Sequence, residues 1–184
     1  MQNISRISIT GDPGSGKSTF ARAVSELLGY RLVTMGNIFR QLAADRGVTI
    51  TQLNQMAEVQ KELDAQLDDY LIALNETDEP LVLDSRVAWH FVKNTFKVRL
   101  TVDPDVAVKR IFSDTTDLRE KFATLEEGME EVEKRKQSEI KRYQKLYGIN
   151  IGDDSNFDLV INTSHTTREE TIQAFKDAFG VNQT

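Results

Sequence analysis

Residues 11–18 read Gly-Asp-Pro-Gly-Ser-Gly-Lys-Ser and match G-x-x-x-x-G-K-[ST] at every fixed position. Glycines at this density let the backbone curl so that successive N–H groups face one anion, which bulkier side chains would obstruct. The context fits. Upstream, Ile4, Ile7 and Ile9 lie in a short β-prone run ending at Thr10. Downstream, Phe20, Val24, Leu27 and Leu28 recur at helical spacing, and Gly29 supplies a stop. A loop between strand and helix places phosphate oxygens at a helix N-terminus, where free amides and the dipole favour negative charge. Gly11, Asp12, Pro13, Gly14, Ser15, Gly16, Lys17, Ser18 and Thr19 are therefore candidates for binding a nucleotide's polyphosphate. Lys17 supplies a charge near the β- and γ-phosphates and Ser18 a hydroxyl for Mg²⁺.

Composition narrows the class. A chain of 184 residues with 39% hydrophobic and 28% charged residues reads as one globular unit with a sizeable core. The net charge of −6 opposes general binding to nucleic acid or a membrane surface, whose footprint is basic. Without cysteine there is no disulfide, thiolate metal ligand or thiol nucleophile. The first residues carry no signal-peptide pattern and no stretch reaches transmembrane length, so the cytoplasm is expected; the residues do not fix the oligomeric state, and a monomer is the expectation.

Four further strand candidates follow: Arg31 to Thr34, Leu81 to Asp84, Lys97 to Val102, and Asp158 to Ile161. Each is separated from the next by helical segments. That alternation predicts a three-layer α/β/α architecture around a five-stranded parallel sheet, with phosphate chemistry at the strands' carboxyl ends. Two insertions exceed ordinary crossovers. Residues 36–75 hold some three helical segments, the first from about Asn37 to Arg46, the second N-capped by Thr51, the third ending near Asn75. Residues 110–147 include a long charged helix from Leu125 to about Tyr147. Both read as arms able to close over two substrates and exclude water.

Several side chains suit phosphoryl chemistry. Asp84 ends the apolar run Pro-Leu-Val-Leu-Asp, where a second ligand for Mg²⁺ belongs. Arg86 lies two residues on and is expected at an acceptor phosphate or base. Gly36 opens the helix after the second strand and permits close approach of a ligand. Arg40 lies one turn further, with a guanidinium fork suited to phosphate. On the long helix Arg135, Glu139 and Arg142 share a face, with Glu139 able to pair with both arginines. Arginines on a closing arm can meet charge developing on a transferred phosphoryl group.

These segments together resemble the nucleoside monophosphate kinases, most closely the short cytidylate kinases of the archaeal type. The likeness runs over nearly the whole chain. It rests on the loop at 11–19, Thr34-Met-Gly-Asn-Ile-Phe-Arg-Gln-Leu-Ala, Leu83-Asp-Ser-Arg-Val-Ala-Trp89, Arg135-Lys-Gln-Ser-Glu-Ile-Lys-Arg-Tyr-Gln-Lys-Leu-Tyr-Gly-Ile-Asn, and Phe157-Asp-Leu-Val-Ile-Asn-Thr-Ser164. The resemblance implies ATP with Mg²⁺ as donor and CMP or dCMP as acceptor. It implies that Gly36, Arg40 and Arg86 serve the acceptor and that Arg135 and Arg142 contact phosphates on closure. It further implies that Arg110 stacks on the donor adenine beside the loop Thr163 to Thr166.

Two positions depart from the family pattern. Ser85 stands where glycine is usual, and Asp114 where an arginine is usual four residues after Arg110; Arg119 could substitute from a remodelled lid. Ser85 motivates an alternative, a kinase for a different small acceptor. Asp114 motivates another, a catalytically weak ATP-binding module.

Overall fold

The computed structural model describes residues 4–48, 52–53, 56, 61–113 and 124–181. Five strands form one parallel sheet: β1 (Arg6–Gly11), β2 (Arg31–Thr34), β3 (Leu81–Asp84), β4 (Thr95–Thr101) and β5 (Leu159–Asn162), in the order β2-β3-β1-β4-β5. The five expected strands are all present, with β4 starting two residues earlier than its apolar run. Helices α1 (Lys17–Leu28), α2 (Met35–Asp45), α3 (Lys61–Ala73), α4 (Ala88–Phe91), α5 (Pro104–Ser113), α6 (Leu125–Tyr147) and α7 (Arg168–Phe179) flank it. The expected cap Thr51 lies outside the described residues.

Strand alternation divides the core in two. Ile7, Ile9, Val82, Val98 and Leu100 face α1 and α7. There Phe175, fully buried, meets Phe20 edge-on and stacks on Phe179 at 5.3 Å. Truncating a ring so enclosed costs about 3–5 kcal/mol. On the opposite face Leu81, Leu83 and Val33 pack with Leu71, Trp89, Val92 and Ile151.

Register aligns the strand ends. Ile9 and Thr34 are both opposite Asp84, and Gly11 is opposite Leu100. The loop after β1 therefore opens beside the carboxylate that ends β3. Local signals bound the helices that frame this edge. Thr124 caps α6 by accepting from the Glu127 amide, and Gly148 ends it in the left-handed conformation. Thr167 and Glu170 close a reciprocal capping box on α7. The amino-terminal part of α6 packs on α5 through Val132, Met129, Ala107 and Val108.

Candidate functional site

The loop after β1 is built tightly against the sheet. Gly14 (φ +77°) and Gly16 (φ +79°) adopt left-handed conformations. At Gly14 an added Cβ would also lie 2.8 Å from Ala107 Cα, so backbone and space alike require glycine. The Ser15 hydroxyl is buried and finds no hydrogen-bond partner among the described residues. A phosphate oxygen in the cradle would satisfy it.

Lys17 is the first residue of α1, and its ammonium meets the Asp84 carboxylate. Asp84 is 2% exposed, so its charge depends on that partner. Burial lowers the Lys17 pKa to about 7, Arg86 adds to the effect and Glu139 opposes it. An arriving polyphosphate would favour the charged form. Ser18 and Thr19 lie exposed in the first turn of α1. The hydroxyl of Ser18 and the carboxylate of Asp84 are the hard oxygen ligands Mg²⁺ takes. Among the described residues no cluster of three or more ionisable ligands exists.

Arg110 reaches from α5 to this loop. It donates to the carbonyl and hydroxyl of Thr163 at 2.6 and 3.1 Å and approaches the Gly14 carbonyl at 3.4 Å. The Thr163 hydroxyl also donates to the Ser15 carbonyl at 3.1 Å. The structure thus brings Arg110, the cradle and the loop after β5 into one corner.

On the other side Arg86 turns towards α6. Its Nε donates to Glu139 Oε2 at 2.7 Å and its Nη2 to Oε1 at 3.4 Å. Arg135 donates to the same Oε1 at 3.4 Å. The expected pairing of Glu139 with Arg142 is not made: Arg142 instead donates to Asp64 Oδ1 on α3 at 2.5 Å. Helical spacing gives Glu139 both neighbours, and tertiary packing gives each arginine its own carboxylate. One turn beyond Asp64, both oxygens of Asp68 accept from the Tyr147 hydroxyl, at 3.0 and 2.8 Å.

Between α3 and α6 lies a cleft of about 100 Å³ whose lining includes Arg86, Ser85, Asp64, Asp68, Tyr143 and Tyr147. Arg40 is exposed, contacts Asn37, lies over Gly36, and does not line this cleft. The Ser85 hydroxyl accepts from the amides of Val87 and Ala88 at 3.2 Å each, fastening the turn into α4. Ser85 thereby has a backbone task. Asp114 and Arg119 lie outside the described residues.

Two residues the sequence does not single out, Arg99 and Lys136, complete the site by holding Asp12. Asp12 of the loop accepts from Lys136 on α6 at 2.9 Å and from Arg99 on β4 at 3.3 Å. Arg99, 5% exposed, also contacts Asp154 and donates to the Gly152 carbonyl at 3.0 Å. One signal was available: Lys136, Ile140, Tyr143 and Tyr147 repeat at three- and four-residue spacing, marking the face of α6 that turns inward.

The sequence profile of the cytidylate kinase-like family matches residues 6–165. A cytidylate kinase from Archaeoglobus fulgidus is 34% identical over 96% of this chain and 95% of its own length. An S-adenosylmethionine-dependent nucleotide dehydratase from Lacinutrix mariniflava is 35% identical over 90% of this chain and 34% of its own length. A shikimate kinase structure from Bacteroides thetaiotaomicron superposes with a TM-score of 0.67 at 18% identity, covering 96% of this chain and 98% of its own, a likeness of fold. No helix among the described residues is long and apolar enough to cross a membrane.

Proposed function

The chain belongs to the cytidylate kinase-like family, and we propose that it transfers the γ-phosphoryl group of ATP to a nucleoside monophosphate, CMP or dCMP. The observation that carries this reading is the meeting of two features at one sheet edge. The phosphate cradle with Lys17 faces Asp84, and two residues beyond Asp84 the side chain of Arg86 lines a separate cleft. Donor and acceptor subsites then share one strand end.

In this proposal residues 11–19 wrap the ATP phosphates and Arg110 flanks the adenine. Ser18 and Asp84 hold Mg²⁺, which when bound neutralises charge on the phosphates. Gly36, Arg40 and Arg86 serve the acceptor, with residues 36–75 as its arm and 110–147 as the lid. An oxygen of the acceptor phosphate bonds to the γ-phosphorus while the bond to the bridging β-oxygen breaks, leaving ADP. Lys17 and Arg135 meet the charge on the transferring oxygens. Arg142, paired with Asp64 beside the cleft, completes the acceptor's surroundings. The reaction needs neither nucleic acid nor a membrane, and we place it in the cytoplasm with the chain acting as a monomer.

A different nucleotide as acceptor is a second reading, favoured by the match to a segment of a protein named as a nucleotide dehydratase. Coupled measurement of ADP release across the ribo- and deoxyribonucleoside monophosphates separates the two. Turnover with CMP or dCMP well above the ATP-only background supports the first. Turnover with another acceptor alone supports the second. ATP binding without dependence on any acceptor leaves an ATP-binding module.

A further inference from the structure

We propose that Lys136 is a positioning residue for phosphoryl transfer: by holding Asp12 it locks the phosphate loop to α6 and so aims its neighbour Arg135. This inference rests on the kinase reading above.

A carboxylate in a loop built to receive a polyphosphate carries the wrong sign for its ligand. Two cations reconcile Asp12 with that task, one on each oxygen. Arg99 donates to Oδ1 at 3.3 Å and Lys136 to Oδ2 at 2.9 Å, and the side chain is only 11% exposed. The backbone of Asp12 is held as well. Its amide donates to the Leu100 carbonyl at 3.0 Å, and its carbonyl accepts from the Ser15 amide at 3.1 Å. A residue fixed at both side chain and backbone passes a displacement of its partner into the loop.

The two cations play different parts. Arg99 comes from β4, is anchored by Asp154 and the Gly152 carbonyl, and supplies a fixed countercharge. Lys136 comes from α6, the helix that carries Arg135, and ties the loop to it. Three residues on, about 4.5 Å along the axis, Glu139 grips Arg86 after β3. The two fasteners have opposite polarity, a base reaching the end of β1 and an acid reaching the end of β3. At three-residue spacing the helix reads Glu133, Lys136, Glu139, Arg142, alternating in sign. A screw displacement of α6 by three residues in one direction sets Glu133 at Asp12 and Lys136 at Arg86. The other direction sets Glu139 at Asp12 and Arg142 at Arg86. Each alternative brings like charges together twice, so the charges favour the observed register. Arg135 takes its aim from that register. It is half-exposed and reaches Glu139 at 3.4 Å, too loose a contact to fix it alone.

The test is a set of double-mutant cycles on kcat, with saturating Mg·ATP and whichever nucleoside monophosphate the wild type turns over fastest. The variants are Lys136→Met, Asp12→Asn, Arg135→Ala, and Lys136→Met combined with each of the other two. Lys136→Met should lower kcat about tenfold, within what a misplacement of about 1 Å costs, while the KM for ATP changes less than about threefold. Because Lys136 acts through Arg135, adding Lys136→Met to Arg135→Ala should cost less than about a further threefold. Adding it to Asp12→Asn should likewise cost little, because the tie is already weakened. Lys136→Arg keeps the cation and should recover most of the turnover. A thermal melt of each variant reports folding, and should Asp12→Asn not fold, the cycle with Arg135→Ala carries the test. A merely structural pair would lower the melting temperature and leave kcat per folded molecule unchanged. Full turnover in Lys136→Met, multiplying losses with Arg135→Ala, or no rescue by Lys136→Arg overturns the inference while leaving the kinase reading intact. Failure of the wild type with every nucleoside monophosphate overturns both.

Discussion

Arg86 Nε lies 2.7 Å from Glu139 Oε2, so the turn that follows β3 is tied to the middle of the longest helix by an ion pair. The two residues are 53 positions apart in sequence, yet each shields the other's charge in a partly buried setting. Burial would raise the Glu139 pKa, but Arg86 and Arg135 outweigh it and hold the carboxyl below its ordinary range.

That depressed pKa makes the contribution of Glu139 to stability pH-dependent. The contribution is complete above about pH 4.5, the ordinary glutamate value, and is lost as pH falls through the lower native one. Glu139→Gln should therefore unfold more easily in urea at pH 7, by about 2 kcal/mol. The gap to wild type should narrow in acid. A gap that is independent of pH would assign the loss to packing instead of charge.

Lys17→Met tests the cradle. Turnover should fall at least about a hundredfold, as when one preorganised electrostatic donor is removed. The fold should persist with reduced stability, because the buried Asp84 loses its cation. Adding Asp84→Asn should recover thermal stability and leave turnover low. Calorimetry with the coupled assay distinguishes the two effects, and near-normal turnover in Lys17→Met would remove the loop from the chemistry.

Arg135 is half-exposed and touches Glu139 at 3.4 Å, a contact worth about 0.2–1 kcal/mol at most. If it meets the phosphoryl group in transit, its attraction strengthens towards the transition state. Arg135→Ala should then lower kcat about tenfold or more while the KM for ATP and the melting temperature change little. Loss of melting temperature with full turnover would make it an ordinary surface arginine.

Gly14→Ala forces an alanine into a left-handed conformation and against Ala107. A thermal melt should show a loss on the order of 1–3 kcal/mol. Titration with ATP should show weaker binding, since the loop must shift. An unchanged melt would mean the loop relaxes freely.

The sheet was legible because each strand is a short apolar run between helical segments, and parallel strands buried on both faces take that form. The cradle was legible because its residues are contiguous. The partners of Asp12, Arg99 and Lys136, were harder to read. Their contacts join positions 87 and 124 apart, and an arginine between Val98 and Leu100 carries no mark of the carboxylates that neutralise it. Arg142 shows the same limit: helical spacing offers Glu139 as a partner, and only the packing of α3 against α6 brings Asp64 nearer. Ser85 differs again, since its hydroxyl's use as a cap depends on the backbone of the next three residues.

Helix α6 presents Lys136 to Asp12, Glu139 to Arg86, Arg142 to Asp64 and Tyr147 to Asp68, four pairings with three separate stretches of chain. A change of charge or reach at one partner alone costs the other a contact. Among relatives of this chain, such positions should vary in matched sets, so that a lost acid on one side coincides with a lost base or hydroxyl on the other. The helix thereby carries a record, readable across many sequences, of which distant residues have had to change together.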